Sequence, residues 1–192
     1  EIKMTEQALI QSEERFRLAA AGTGLGIWEW NRKHEHDYIS AKFCELLGYD
    51  GDELEPDLSK IVRMIHPDHI ELVKAEFLSH LTQNKVFKIE FRIKKKSGEY
   101  AWFSATGQAE FDEKRYPVRM VGYLIDIAER KEAEEALHLS EERFRELYEN
   151  STFGIYRTSR AGKIVLANPA LIRLLGYASL EEIQNIDLNM DG

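Results

Sequence analysis

The period of the apolar positions changes several times along the chain, and each change marks an element. From Phe87 the period is two: Phe87, Ile89, Phe91 and Ile93 alternate with Lys88, Glu90, Arg92 and Lys94, which predicts a strand with one dry and one wet face. Tyr100 to Glu110 and Val118 to Ile127 predict two more strands, set off by turns at Ser97-Gly98 and Asp112–Arg115. Such short connections make the three antiparallel neighbours. Near the N-terminus, Gly26–Asn31 alternates and is aromatic-rich, and a second short strand is expected at Asp37–Ser40 after a hairpin turn. Between these two groups the period is helical. Ser40 is a good N-cap for a helix over Ala41–Leu47, which ends at Gly48. A capping box at Asp50–Glu53 predicts a second short helix. Asp57–His66 carries Leu58, Ile61, Val62 and Ile65 on one face, and Pro67 opens a longer helix to about Asn84 with the stripe Ile70, Val73, Phe77 and Leu81. Strands, then helices, then three strands make an α+β design: a sheet with helices on one side.

Residues 126–150 contain no Gly or Pro and are rich in Glu, Ala, Leu and Arg, all good helix formers. Ala133, Leu137, Ser140, Phe144 and Leu147 recur at spacings of 4, 3, 4 and 3, a heptad seam of the kind that pairs two helices. One helix joining two folded units is expected, with this seam as a dimer contact; a lone surface helix is the alternative. Ala133 and Ser140 fill little space, so pairing rests on Leu137, Phe144 and Leu147, each contributing roughly 1.5–3 kcal/mol when buried.

Self-comparison reveals a repeat. Ser12-Glu-Glu-Arg-Phe-Arg17 recurs as Ser140-Glu-Glu-Arg-Phe-Arg145, Gly26-Ile27 as Gly154-Ile155, and Leu46-Leu-Gly-Tyr49 as Leu174-Leu-Gly-Tyr177, all at an offset of 128. In that register Ser40 matches Asn168, which precedes Pro169, so a helix over Pro169–Leu175 ending at Gly176 is expected, followed by a capping box at Ser179–Glu182. Thr5, Leu9, Ser12 and Phe16 carry the heptad into residues 1–21, which read as a helix of the same kind. One complete module and the opening of a second are therefore expected, and Glu1 in place of Met suggests a piece of a longer protein.

Composition narrows the partners. A net charge of −8, with no basic cluster beyond Lys94-Lys95-Lys96, argues against nucleic acid. The single cysteine, Cys44, excludes an internal disulfide framework and fits a reducing compartment. No apolar run approaches the ~20 residues that span a bilayer, so no membrane contact is expected in this segment; a cytoplasmic location is expected, with a membrane-anchored parent left open.

Phe43-Cys-Glu-Leu-Leu-Gly-Tyr49, Ile65-His-Pro-Asp68, Lys94–Glu99 with Trp102, and Gly122–Ile127 running into Glu129-Arg-Lys131 together resemble a PAS domain with its C-terminal PAC segment; Ala128 stands where the family usually has Thr. Gly154-Ile, Asn168-Pro-Ala and Leu174-Leu-Gly-Tyr resemble the opening of another. The resemblance implies a five-stranded antiparallel sheet whose concave face and helices can enclose a ligand, flanked by long linker helices. The expected divisions are a linker helix over 1–21, a complete domain over 22–127, a signalling helix over 128–150 and a partial second domain over 151–192. It also implies a sensory region of a signal-transduction protein, read here as a histidine kinase, with a diguanylate cyclase as the alternative output. A ligand-free dimerisation or spacer module is the rival reading.

Trp28, Ile61, Ile65, Phe77, Phe91, Trp102 and Tyr123 are expected to converge between sheet and helices, as a small-molecule site or as ordinary core. Asp126 and Ile127 are the expected relay into the exit helix. Cys44 lacks the Asn-Cys-Arg-Phe-Leu-Gln context of the family's flavin-binding light sensors and reads as a packing residue. Haem-binding members carry their axial histidine roughly where Lys74 stands, so His66, His69 and His80 are not read as ligands. His34, Glu35, His36 and Asp37 share a hairpin but lack a dedicated third or fourth metal ligand. Ser79-His80-Leu81-Thr82 lacks the acidic residue after His of a phosphoacceptor box. No catalytic or metal residue is assigned, and the cofactor is left unknown, with neither haem nor flavin expected. The expected partners are a second copy through the linker helices and a small-molecule ligand.

Overall fold

The computed structural model describes residues 24–32, 36–51, 53–83 and 85–184. The expected helix over 1–21, with Thr5, Leu9, Ser12 and Phe16, lies outside these, as do His34 and Glu35. Two units are distinguished, Glu1–Lys131 and Glu132–Gly192.

The first unit is built on one antiparallel sheet of β1 (Gly26–Asn31), β2 (Tyr38–Ile39), β3 (Phe87–Lys94), β4 (Tyr100–Phe111) and β5 (Pro117–Asp126), in the spatial order β2-β1-β5-β4-β3. The helices before β3 are α1 (Ala41–Leu46), α2 (Leu58–Val62) and α3 (Pro67–Gln83). Alternation along the strands turns Phe87, Phe91, Ile93, Phe103, Ala105, Ala109, Met120 and Leu124 to one face, where they form a core with Phe43, Leu47, Ile61 and Ile65 from the helical layer. The α3 stripe Ile70, Val73, Phe77 and Leu81 packs on this core. β5 lies between β4 and β1, so the last strand of the unit is central rather than peripheral.

Two expected helices differ. No helix follows Asp50: the Glu53 carboxylate accepts from the Asp50 N–H at 2.9 Å, half of a capping box, but closes only a turn. Pro56 lies three residues on and disfavours helical geometry before it. The helix expected over Asp57–His66 stops at Val62 because the residues after it serve the sheet. The Lys94 N–H donates to the Met64 carbonyl at 2.9 Å and the His66 N–H to the Arg92 carbonyl at 2.8 Å. The Arg92 N–H donates to His69 Nδ1 at 2.9 Å. This segment therefore latches the exposed edge of β3, which would otherwise offer free ladder groups to another chain.

In the second unit, β6 (Tyr156–Thr158) and β7 (Ile164–Ala167) pair antiparallel, followed by helices we label α5 (Pro169–Leu175) and α6 (Leu180–Gln184). Ile164, Ala167, Leu171 and Ile183 make its small core. The sequence register of 128 reappears as shared hydrogen bonding. Ser40 Oγ accepts from the Ile27 and Phe43 N–H groups at 2.9 and 3.2 Å, while Asn168 Oδ1 accepts from Ile155 and Leu171 at 2.8 and 3.0 Å. Each capping residue thus ties the first strand segment of its copy to the start of a helix. A Cβ on Gly26 would lie 2.8 Å from the Phe43 Cα, a backbone atom, so glycine is needed there; one on Gly154 would lie 2.7 Å from Leu171 Cδ1 and 3.3 Å from its Cα, the corresponding approach in the second copy but a looser one. The expected left-handed helix ends are present at Gly48 and Gly176, with φ of 81° and 78°.

His80 is wholly buried. Its Nε2 accepts from the Ala109 N–H at 3.0 Å, so Nδ1 carries the proton and donates to the Lys85 carbonyl. One ring thus ties the end of α3 to the following turn and to β4. Replacing it with Leu leaves a buried N–H and a carbonyl without partners. We predict that His80→Leu lowers unfolding free energy by about 1–3 kcal/mol in urea titrations; an unchanged midpoint would mean these bonds contribute nothing.

Candidate functional site

Between the inner face of the sheet and the helices lies a recess of about 560 Å³. Trp28 of β1, Phe87 and Phe91 of β3, Ala105 of β4, and Met120 and Leu124 of β5 supply its sheet side. Phe43, Leu58, Ile61, Val73 and Phe77 supply the helical side. Edge-on ring contacts run along the sheet side, Trp28 to Phe87 at 6.4 Å, and across to the helical side, Phe77 to Phe87 at 6.3 Å and Trp30 to Phe77 at 6.5 Å between centroids. The Trp28 indole lies directly over Gly107 and Gly122, where an added Cβ would come within 2.8 and 2.3 Å of it. The exposed residues Ser59, Val62, Arg63 and Lys74 also line the recess, so it opens between α2 and α3.

Of the residues expected here, Trp28, Ile61, Ile65, Phe77 and Phe91 line the recess, and Trp102 and Tyr123 do not. Each of these two directly adjoins an inward-facing residue (Trp102 beside Phe103, Tyr123 beside Leu124), so strand alternation points it to the opposite face. Trp102 instead meets the His69 ring at 5.0 Å and lies under the Lys131 ammonium at 5.0 Å and the Arg92 guanidinium at 5.6 Å. The inward positions of β4 hold Ala105, Gly107 and Ala109, too small to stand out by hydropathy. Strict period-two counting back from Met120 and Leu124 would have found the face. Cys44 is buried in α1. Among the described residues no histidine lines the recess, and no group of three or more His, Cys, Asp or Glu side chains could hold a metal ion.

The end of β5 leads directly into α4 (Ala128–Asn150). Asp126 Oδ1 accepts from the Ala128 N–H at 2.9 Å, and Oδ2 pairs with Lys95 Nζ at 3.0 Å. The buried Ile127 donates its N–H to the Trp102 carbonyl and accepts from the Lys131 N–H, both at 3.0 Å. Glu90 of β3 reaches Arg130 at 2.7 Å and Lys131 at 2.8 Å. The hydrogen bond from Lys131 holds the Glu90 carboxyl below its usual value. Two strands thus grip the first turn of α4. Farther along, Ala133, Leu137, Ser140, Phe144 and Leu147 are all exposed, and α4 has no buried residue. Among the described residues no helix is long and apolar enough to cross a membrane.

Comparison with known proteins agrees with this architecture. A model described as "PAS fold" matches residues 36–124, and one described as "PAS domain" matches residues 142–191. A crystal structure of a sensory box histidine kinase/response regulator from Burkholderia thailandensis is 36% identical, with a TM-score of 0.62 over 69% of this chain and 99% of that one. Among curated proteins, a methyl sulfide methyltransferase-associated sensor from Methanosarcina acetivorans is 32% identical over 102 residues, 53% of this chain. An uncharacterized protein of Sinorhizobium fredii is 27% identical over 129 residues, 67% of this chain. The chain spans only 10% and 15% of the lengths of these two relatives.

The edge latch titrates. Burial, together with the charges of Arg92 and His66 and against that of Asp68, holds His69 below its ordinary value of 6.5. The neutral ring is the form that accepts from Arg92, so its stabilising effect is complete above pH 6.5 and is lost as pH falls through the lowered value. Asn at this position can accept the same N–H without titrating. We predict that thermal stability of the wild type falls more steeply than that of His69→Asn below pH 6.5; parallel profiles would remove His69 from the latch.

Proposed function

This chain belongs to the PAS family of sensory domains, and on that premise we propose that its first unit reads occupancy of the recess and passes the change to α4. The observation that carries this reading is the size and position of the recess. About 560 Å³ lies between α2, α3 and the strands that lead to the junction, open to solvent on one side and lined almost entirely by apolar side chains, as small-molecule sites are. Met120 and Leu124 line it, and Asp126 lies two residues beyond Leu124 on the same strand. A shift of β5 or β3 would alter the Lys95–Asp126 and Glu90–Arg130/Lys131 pairs, and with them the seating of α4. Couplings of this kind are typically about 1–3 kcal/mol.

Similarity to the Burkholderia sensory box protein supports a histidine kinase as the parent, with this segment as a sensory region; we infer a cytoplasmic location for it. Catalysis would then belong to other parts of that parent.

Ala105→Leu places extra bulk inside the recess, as a ligand would. It is expected to change amide exchange at residues 128–131 by roughly five- to a hundredfold, and adding Glu90→Gln should reduce that change. Exchange in α4 that ignores Ala105→Leu would overturn the relay.

A second reading, pairing of α4 with a second copy, is favoured by the exposure of Leu137, Phe144 and Leu147, at 63%, 61% and 71%. Large side chains in heptad register and open to water suit a helix partner. Leu137→Asp should then lower the sedimentation mass at micromolar concentration; the same mass for both proteins would exclude this seam.

A further inference from the structure

We propose that the recess takes an aliphatic carboxylate, with its hydrocarbon chain among the core residues and its carboxylate at Arg63 and Lys74. The inference rests on reading the recess as a ligand site and adds the class of ligand. Three observations lead to it. First, the walls are almost wholly aliphatic and aromatic: apart from Arg63 and Lys74 at the mouth, the lining side chains among the described residues that carry an N–H or O–H are Ser59, Trp28 and Trp30. A ligand with polar groups along its body would bury them unpaired at a large cost, whereas apolar recesses accept apolar guests. Second, among the described residues the charged ones lining the recess are both cations, Arg63 and Lys74, with no Asp or Glu. Third, of the two cations Arg63 is the uncommitted one. Glu71 pairs with Lys74 at 2.7 Å, and Glu55 and Asp57 pair with Lys60. Arg63 has no ion-pair partner among the described residues. A guanidinium at the mouth of an oily recess is a two-pronged donor matched to a carboxylate.

The ligand is thus bound by two separable parts, and each has its own readout. Chain length sets the buried part, so each methylene removed between dodecanoate and octanoate should weaken binding about fourfold. The head sets the sign of charge. On the full chain, calorimetry with dodecanoate, 1-dodecanol and dodecyltrimethylammonium, each below its micelle concentration, should rank the carboxylate first by roughly tenfold or more. Arg63→Glu, an exposed change that leaves the core intact, should abolish that rank, and Arg63→Glu/Lys74→Glu should favour the ammonium. Methyl resonances of Met120 and Leu124 should shift when dodecanoate binds. Binding that leaves those methyls unmoved would place the probe elsewhere and overturn the proposal. If the alcohol or the ammonium binds as tightly as the carboxylate while those methyls respond, the carboxylate class is wrong and the recess stands as a ligand site. If none of the three binds, the recess reading fails as well.

Discussion

Hydrogen bonding of β5 on both sides is the constraint from which the first unit's behaviour follows. Its residues pair with β1 from Gly26↔Leu124 to Asn31↔Arg119, and with β4 from Phe103↔Asp126 to Phe111↔Pro117. A strand held by two ladders moves only with its neighbours. Met120 and Leu124 face the recess, Gly122 lets the Trp28 indole lie across the strand, and Asp126 begins the junction with α4. Floor, centre and exit are therefore one piece of backbone. On the proposed reading, this is why a guest in the recess need not touch α4 to affect it.

The junction is made of contacts suited to adjustment. Lys95 and Asp126 are each about a third exposed, and Glu90 with Arg130 somewhat more. Ion pairs in such settings contribute little singly, about 0–1 kcal/mol. Several of them on one helical turn, with the Lys131 ammonium also over Trp102, hold it firmly without making its release expensive. The buried Ile127, bonded through its backbone to Trp102 and Lys131, is the fixed point among them. Trp102, on the face of the sheet opposite the recess, thus belongs to the junction.

The two copies solve one local problem with different residues. Ser40 and Asn168 both cap a helix and both accept from the strand segment thirteen residues earlier. Asn168 has an amide as well, and uses it to donate to the Tyr148 and Phe153 carbonyls at 3.0 and 2.9 Å. The end of α4 is thereby tied to the core of the second unit through a fully buried side chain. A hydroxyl, with one hydrogen to give, has no means of serving both carbonyls.

Period and punctuation in the sequence were enough to specify most of the elements. The alternation of Phe87–Ile93, the Ser40 and Asn168-Pro169 helix starts, the glycine stops and the offset of 128 each act within a few residues, so they can be read without knowing the fold. Tertiary structure decided whatever depends on partners distant in sequence. Pro67 is a local signal against helical geometry at His66, but the pairing of Met64 and His66 with the edge of β3 has no local signal. Trp102 and Tyr123 drew notice as large rings, yet the pleat sends them away from the recess and gives the inward positions to Ala105 and Gly107. Arg63 and Lys74 line one opening only because α2 and α3 flank the same gap. Local stereochemistry fixes each element, while the sides that face one another are settled by how the strands close around β5.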